Sequence, residues 1–216
     1  MPQATNTRAN PERRPGLLIA FEGIDGCGKS SHLRKLAAFL RERGLEVVET
    51  REPTDGPYGR RIRELFTRRD EVSREEELEL FLADRREHVA QCIEPGLAAG
   101  KIVLTDRYYF STAAYQGAAG LDVDEILAKN RFAPDPDLVL LLEIAPEEGL
   151  RRIRERRGEI PNDFEQLDSL RRAAAIFASF DSSRICRIDT RPHRGMVQEH
   201  IRRLVTKLCR ERGLLP

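Results

Sequence analysis

"FEGIDGCGKSS", Phe21 to Ser31, is the stretch that decides the fold of this chain. Gly23, Gly28, Lys29 and Ser30 match the pattern G-x-x-x-x-G-K-[ST], directly after an apolar run and before an amphipathic segment, which is the context that the motif requires. Glycines let consecutive backbone N–H groups point inward at phosphate oxygens, and the N-terminus of the following helix attracts the same anions. The stretch therefore predicts a phosphate-binding loop between a strand and a helix.

This phosphate loop is predicted to bind a nucleotide together with a metal ion. Lys29 is expected to follow the β- and γ-phosphates as a point charge, and Ser30 is expected to ligate Mg²⁺. Asp106 ends a later apolar run and is expected to organise the same ion and its waters. The predicted nucleotide-binding residues are consecutive: Gly23, Ile24, Asp25, Gly26, Cys27, Gly28, Lys29, Ser30 and Ser31.

Short apolar runs alternate along the chain with longer, charge-rich amphipathic stretches. The runs predict five strands that are covered on both faces of a parallel sheet, at residues 17–23, 46–51, 101–107, 138–144 and 184–189. The stretches between them predict helices at 29–43, 58–69, 74–99, 110–118, 146–157, 164–180 and 194–212. This alternation predicts an α/β protein with a three-layer, doubly wound P-loop fold, whose ligand sites lie at the carboxyl ends of the strands.

The bulk composition bounds the organisation of the chain. Its 216 residues suit one α/β domain, predicted at 16–216, after a disordered N-terminal tail at 1–15. Lys and Arg total 37 against 36 Asp and Glu, so the net charge of +1 lacks the basic excess of a nucleic-acid binder. No apolar run approaches the roughly 18 residues of a membrane span. We therefore expect neither a nucleic acid nor a membrane as partner.

The cysteines are scattered along the chain. Cys27, Cys92, Cys186 and Cys209 have no C-x-x-C spacing and no adjacent histidine. This pattern favours free thiols in a cytoplasmic protein over a disulfide framework or a zinc site.

A phosphate loop alone does not choose among GTPases, motor ATPases and small kinases. The guanine-reading NKxD motif is absent, as is the signature loop of transporter ATPases. The unusual residue is Asp25, a carboxylate among phosphate-binding amides, which is costly unless it contacts something else. It either faces the acceptor and takes a hydrogen bond from a hydroxyl group, or only braces the loop.

Two arginines at predicted strand ends point to a second phosphate. Arg51 ends the second strand and Arg107 follows the third, so the two are expected to converge beside the phosphate loop and to bind a phosphate of the acceptor. Phe81 and Arg85 are four residues apart and share a helix face. They have the geometry to stack on a base and bond its edge, although Phe81 is also a candidate for the core.

"FEGIDGCGKSS", "TREP", "LFLADR" and "DRYYFSTAAYQG", in this order and spacing, resemble the thymidylate kinase family from about residue 17 to the end of the chain. The resemblance implies a five-stranded parallel sheet with ATP at the phosphate loop and dTMP in a facing cleft. It also implies transfer of a phosphoryl group to give dTDP and ADP, and a homodimer packed through helices.

The positions that match the family's motifs imply specific contacts with dTMP. Asp25 would hold the 3′-hydroxyl group, and Arg51 and Arg107 would hold the phosphate. Phe81 would stack on thymine and Arg85 would reach its O4. The remaining implied contacts are Ser111, Thr112 and Gln116 along the base, and Tyr115 beneath the sugar.

The source of catalytic charge differs between classes of this family. One class has an Arg directly after the loop acid, where this chain has Gly26. The resemblance therefore implies the other class, in which a short mobile lid, here about residues 151–165, supplies the charge, with Arg154 and Arg157 as the expected catalytic residues. The lid departs from the family pattern because "NDFE", residues 162–165, contains no Arg.

Two other functions stay open at this point. A related kinase with a different deoxynucleotide or nucleoside acceptor would use the same donor loop. A non-catalytic regulator that kept the fold would account for the altered lid. The loop "TDGPYG", residues 54–59, also departs from the family pattern, and Glu52–Pro53 before it is a candidate for a cis peptide bond.

Overall fold

The computed structural model describes residues 15–68, 71–157 and 166–216. Its centre is one parallel sheet of five strands in the order β2-β3-β1-β4-β5. The strands are β1 (Leu17–Glu22), β2 (Val47–Arg51), β3 (Ile102–Asp106), β4 (Leu138–Glu143) and β5 (Ile185–Asp189). The predicted five-stranded parallel sheet is therefore confirmed. The predicted disordered tail lies outside the described residues except for its last residue.

Helices join and cover the strands in the described part of the chain. They are α1 (Lys29–Arg41), α2 (Pro57–Glu64), α3 (Arg74–His88), α4 (Glu94–Ala98), α5 (Tyr109–Ala118), α6 (Val123–Lys129), α7 (Pro146–Arg157), α8 (Leu167–Ser179) and α9 (Arg194–Glu211). The sequence prediction missed α6, which has only 7 residues. A helix this short has too few turns to display a repeating apolar face.

The predicted continuous helix at 74–99 is interrupted. The residues Val89–Ile93 form a π-helical turn between α3 and α4, with the Glu94 N–H bonded to the Val89 carbonyl five residues earlier. Pro95 follows at once and has no N–H to give to the carbonyl four residues back, so the regular helical pattern cannot continue there. The start of α3 is fixed by a capping box, in which Ser73 and Glu76 bond each other's backbone.

The central strand β1 is buried on both faces, as its unbroken apolar sequence predicts. Leu17, Ile19 and Phe21 pack against α1 and α9 on one side of the sheet. Leu18 and Ala20 alternate with them and pack on the other side, near α4 and Tyr108. Helices α5 and α8 meet on that second side. The sheet between two helical layers confirms the three-layer fold.

The carboxyl ends of three adjacent strands are level. Asp106 pairs with Phe21 of β1 on one side and with Arg51 of β2 on the other. The phosphate loop follows β1, so its glycines start at the same edge as Arg51 and Asp106. Arg107 directly follows Asp106, so this register explains why Arg51 and Arg107 come together beside the phosphate loop.

The lid segment, predicted at about 151–165, is described only in part. Its first residues belong to α7, and residues 158–165 lie outside the described part of the chain. Among the helices that the structure describes, none combines the length and apolar character needed to cross a membrane.

Candidate functional site

A cleft of about 700 Å³ opens at the carboxyl edge of the sheet. The phosphate loop lines it on one side, and the ends of β2 and β3 with α3 and α5 line it on the other. All of the residues predicted to bind the acceptor line this cleft: Asp25, Arg51, Phe81, Arg85, Arg107, Ser111, Thr112, Tyr115 and Gln116. The same is true of loop residues 26–31 and of Asp106, whereas Gly23 and Ile24, also predicted to bind the nucleotide, do not line it. One cavity therefore contains both predicted halves of the site.

The backbone of the phosphate loop adopts positive φ angles at its glycines. Gly26 has a φ of +82° and Gly28 a φ of +100°, a region that residues with a side chain seldom occupy. Lys29 folds back over the loop, where its Nζ donates to the carbonyl oxygens of Gly23 at 2.9 Å and Ile24 at 3.0 Å. Helix α1 begins at Lys29 and directs its N-terminus at the cleft. The loop thus forms an anion-binding cradle with one ammonium group beside it.

Ser30 and Asp106 meet at the boundary between the loop and β3. The Ser30 hydroxyl group donates to Asp106 Oδ2. A hydroxyl and a carboxylate are hard oxygen donors of the kind that Mg²⁺ prefers. Within the described residues, no group of three or more His, Cys, Asp or Glu side chains could hold a metal ion. A cation here would therefore need further oxygens, such as those of nucleotide phosphates.

Asp25 is tied to the acceptor side of the cleft. Its Oδ1 accepts a hydrogen bond from Arg107 Nη2 at 2.6 Å, and its Oδ2 accepts one from the Tyr115 hydroxyl at 2.8 Å. The backbone N–H of Asp25 donates to the same hydroxyl at 3.0 Å. Burial alone would raise the pKa of Asp25, but the charges of Arg107 and Lys29 lower it to about 2. Asp25 is therefore a carboxylate at neutral pH.

Arg51 lies at the mouth of the cleft, where it forms an ion pair with Asp55. Its Nη2 donates to Asp55 Oδ1 at 2.7 Å, and both side chains are mostly exposed. Arg63 contacts the same oxygen at 3.1 Å and donates to the carbonyl of Thr54 at 2.7 Å, which holds the loop after β2. The Glu52–Pro53 bond before this loop is cis, as the sequence suggested.

Arg85 lies at the floor of the cleft in a buried polar cluster. Its guanidinium donates to Thr112 Oγ1 at 2.9 Å and contacts Glu52 and Asn130. Glu52 also accepts from His88 Nδ1 at 2.9 Å. Burial opposes a charged imidazole, but hydrogen bonds with Cys92 and Glu52 raise the pKa of His88 to about 9. Glu52 therefore faces two cations, and Arg85 is fixed before any ligand binds.

The residues predicted to bind the base differ in how they are packed and bonded. Phe81 is partly buried against the core cluster of α5 and α8, and it also lines the cleft, so its stacking on a base stays a prediction. Gln116 is fully buried, and its Nε2 donates to Glu77 Oε2 at 3.0 Å. Its Oε1 has no hydrogen-bond partner among the residues that the structure describes. Gln116 therefore has one acceptor still available.

The lid arginines are positioned differently from each other. Arg152 lines the cleft, donating from Nε to Glu148 at 2.8 Å and from Nη2 to the Thr190 carbonyl at 3.3 Å. Arg154 is exposed and does not line the cleft, and the side chain of Arg157 lies outside the described residues. The roles of Arg154 and Arg157 stay predictions. The sequence did not single out Arg152, because four neighbouring positions are also Arg and the pattern does not show which of them faces the cleft.

Contact between α7 and the phosphate loop explains why Gly26 carries no side chain. A Cβ at Gly26 would lie 2.2 Å from the carbonyl oxygen of Gly149, and one at Gly149 would lie 2.7 Å from the carbonyl oxygen of Asp25. Two backbones pack directly against each other here. An Arg at position 26 is sterically excluded, whereas Arg152 enters the cleft one turn further along α7.

Together, the fold and the cleft are those of a P-loop nucleoside monophosphate kinase, in which a phosphate loop and the side chains of Arg51 and Arg107 line one cavity. The sequence model described as "Thymidylate kinase" matches residues 21–201. The chain belongs to the thymidylate kinase family.

Curated relatives from several bacteria agree with that family. The chain is 61% identical over 165 residues to the thymidylate kinase of Desulfotalea psychrophila, covering 76% of this chain and 82% of the relative. It is 53% identical over 164 residues to that of Xanthomonas campestris pv. campestris, covering 76% and 71%. For Xanthomonas euvesicatoria pv. vesicatoria the values are 52% over 171 residues, covering 79% and 75%.

Proposed function

We propose that this protein transfers the γ-phosphoryl group of ATP to dTMP, giving dTDP and ADP. The observation that carries the proposal is that Lys29 and Arg107 line one cleft, in which Asp25 of the phosphate loop is ion-paired with Arg107. A donor cradle and an acceptor site on opposite sides of one cavity allow the two reacting phosphates to meet in line. Phosphoryl transfer needs little more than this alignment and surrounding positive charge.

On the donor side, the phosphate loop binds the ATP phosphates through its backbone and Lys29. Lys29 exchanges its bonds to the Gly23 and Ile24 carbonyls for bonds to phosphate oxygens. Ser30 and Asp106 are the residues that would hold Mg²⁺, which would neutralise negative charge on the phosphates during the transfer. Their hydroxyl–carboxylate contact supports this assignment, because both are oxygen donors.

On the acceptor side, Asp25 accepts the hydrogen bond of the deoxyribose 3′-hydroxyl group. An ionised carboxylate has about four lone-pair sites, so contacts with Arg107 and Tyr115 leave Asp25 room for another donor. Arg107 and Arg51 bind the dTMP phosphate. Arg51 must leave Asp55 to do so, and this exposed pair costs little to break.

The base is recognised by stacking on Phe81 and by polar groups at the floor of the cleft. The unpaired Oε1 of Gln116 matches the N3–H donor of thymine, and cytosine has an acceptor at that position. Arg85 would face thymine O4, where cytosine has an amino donor. Rejection of dCMP should therefore be strong, whereas dUMP lacks only a methyl group, worth about 1–3 kcal/mol.

The lid completes the positive charge around the transferred group. Arg154 and Arg157 were expected in this role from the resemblance. The position of Arg152 in the cleft adds it to the candidates, and the exclusion of a side chain at Gly26 supports a lid source over a loop source. We take Arg152 as the strongest candidate.

A coupled ADP-release assay over a panel of nucleoside monophosphates tests the function. Turnover should be highest with dTMP and should fall by roughly 10²–10³-fold in Lys29→Ala. Lys101→Ala is the matched control, since Lys101 is paired with Glu46 on the surface. Equal turnover of dCMP would contradict the base assignment. Nucleotide binding without turnover of any acceptor would instead indicate a regulator.

Two further proposals concern the assembly of the protein and its location in the cell. We propose a homodimer packed through helices, which sedimentation at several protein concentrations would test. We propose a cytoplasmic location, consistent with the four free cysteines at positions 27, 92, 186 and 209. Fractionation of cells that express the protein would test this location.

A further inference from the structure

Glu22, the last residue of β1, is buried beside the acceptor site without lining the cleft. Its Oε1 accepts from the backbone N–H of Tyr108 at 2.9 Å and of Ser111 at 3.2 Å. Its Oε2 accepts from the Ser111 hydroxyl group. A buried carboxylate is costly unless it is well bonded. Glu22 therefore either stabilises the fold alone or acts on the site through these neighbours.

The bonds to Glu22 cap the helix that carries the acceptor residues. Helix α5 begins at Tyr109, and its N-cap residue Tyr108 provides no side-chain cap. The first N–H groups of a helix lack partners within the helix, and a negative charge there is favourable. Glu22 fills this role although it lies 86 residues before Tyr108 in the chain. It thus fixes where α5 starts relative to the end of β1.

Arg107 lies directly before this cap in an unfavourable backbone conformation. Its φ of +74° falls in the left-handed region, which residues other than glycine occupy only when their surroundings impose it. Arg107 N bonds to the Phe21 carbonyl at 2.9 Å, immediately before Glu22. Its Nη1 donates at 3.1 Å to the Ser111 hydroxyl oxygen, the group that in turn donates to Glu22.

We propose that Glu22 is a positioning residue for the acceptor phosphate: by fixing Tyr108 and Ser111, it holds Arg107 in the orientation that binds dTMP. This inference rests on the proposed function. In this role Glu22 acts on the acceptor side of the cleft and not on the phosphate loop that binds ATP. Loss of its carboxylate should weaken the use of dTMP and leave the use of ATP nearly unchanged.

The charge of Glu22 is sensitive to pH near neutrality. Burial raises the pKa of Glu22 to about 7, against the lowering effects of the Ser111 hydrogen bond and of Arg107 and Lys29. Tyr109, at the start of α5, also interacts with it electrostatically. A protonated carboxyl has one oxygen that donates, so it loses an acceptor for Ser111. The KM for dTMP should therefore rise as the pH falls below about 7.

Steady-state kinetics of Glu22→Gln provide the first test. The KM for dTMP should rise about 10- to 100-fold, as for loss of a charge-assisted hydrogen bond, while the KM for ATP and kcat change by less than about twofold. The enzyme's own pH dependence below neutrality should shrink in this variant. Titration of the dTMP phosphate affects both proteins alike and cancels in the comparison.

Asp137→Asn is the matched control, because Asp137 is also a buried carboxylate that bonds to β1. It accepts from the Leu18 N–H at 2.8 Å and from Arg212 at 2.8 Å, at the opposite end of the strand. This variant should lower the free energy of unfolding without changing the KM for dTMP. If Glu22→Gln fails to fold, Ser111→Ala should raise the KM for dTMP in its place, because it removes the link to Arg107.

Calorimetric binding of dTMP separates positioning from general stabilisation. In an Arg107→Ala background, Glu22→Gln should change the dTMP affinity by less than about twofold, because the two residues act as one unit. An equal loss of affinity in both backgrounds would overturn the proposal, as would an unchanged KM in the single variant. A wild-type protein that does not phosphorylate dTMP would instead refute the proposed function.

Discussion

The two halves of the cleft are built differently. The donor half comes from one continuous segment, residues 23–31, whose glycines and helix N-terminus present backbone groups to an anion. The acceptor half is assembled from side chains of β2, α3 and α5 together with Asp25 and Arg107. Its cations are already paired with acids: Arg107 with Asp25, and Arg51 with Asp55. A donor nucleotide thus meets a formed cradle, whereas dTMP must enter an existing network of ion pairs.

This contrast predicts how substitutions divide. Replacing a charged side chain of the acceptor half should impair the use of dTMP selectively, because each such change leaves a charged partner unpaired. Side-chain changes in the phosphate loop should matter little unless they alter Asp25, Lys29, Ser30 or a glycine.

The largest effect is expected from Arg107→Ala. The variant removes two hydrogen-bonding groups from the acceptor phosphate and leaves Asp25 without its ion pair, so kcat/KM for dTMP should fall about 10³-fold. ATP affinity, measured by calorimetry, should stay close to that of the wild type. Arg203→Ala is the control, because Arg203 is exposed and forms an ion pair with Glu199 on the outer face of α9. An equal loss of ATP affinity would contradict the claim that the donor and acceptor halves of the cleft bind their ligands separately.

Arg152→Ala should have the next largest effect. If Arg152 stabilises the transferring group, kcat should fall about 10²-fold with little change in either KM, as expected for an interaction made only in the transition state. Arg154→Ala, two residues along the same helix, is the internal comparison and should retain most activity. A larger loss in Arg154→Ala would return the catalytic role to the residue that the sequence suggested.

Neighbouring loop residues offer a smaller and more local test. Asp25→Asn should raise the KM for dTMP about tenfold, because it weakens the bonds to the 3′-hydroxyl group and to Arg107. Cys27→Ala changes a buried loop residue whose side chain packs in the core, and its kinetic constants should change by less than about threefold. With a thymidine monophosphate that lacks the 3′-hydroxyl group, the difference between wild type and Asp25→Asn should be smaller, because only the weakened bond to Arg107 remains.

The smallest effect concerns stability and pH. Glu22 has a pKa of about 7 in the folded protein against 4.5 in the unfolded chain, so the folded state binds more protons between these values. The free energy of unfolding should fall as the pH rises from about 4.5 to 7, by on the order of 1–3 kcal/mol from this group. Urea unfolding of wild type and Glu22→Gln at both ends of this range measures the contribution. A difference between the two proteins that does not depend on pH would contradict it.

The same contrast explains what the sequence could reveal. The phosphate loop was predictable because its chemistry depends on neighbours in sequence. The residues Arg51 and Arg107 were predictable from their position at strand ends, since parallel strands bring those ends together. Their partners were harder to predict: Glu52 is 33 residues from Arg85, and Glu22 is 89 residues from Ser111. No local pattern records such pairs.

Two features of the helices were also beyond local reasoning. Helix α6 was too short to have a visible period, and the π-helical turn at Val89–Ile93 preserved the apolar pattern of a continuous helix. The phase of α7 depends on the contact between Gly149 and Gly26, which belong to segments 123 residues apart in the numbering. Only that contact distinguishes Arg152 from the arginines beside it.

The most direct test of the account is the binding of a bisubstrate compound, adenosine and thymidine joined 5′ to 5′ through a chain of phosphates. If one cleft holds a donor half and an acceptor half, the compound should bind one per chain, far more tightly than either ATP or dTMP, because the second half binds at high effective concentration. Both ATP and dTMP should displace it, and Arg107→Ala should weaken it. Binding no tighter than that of ATP, with no competition from dTMP, would contradict the account.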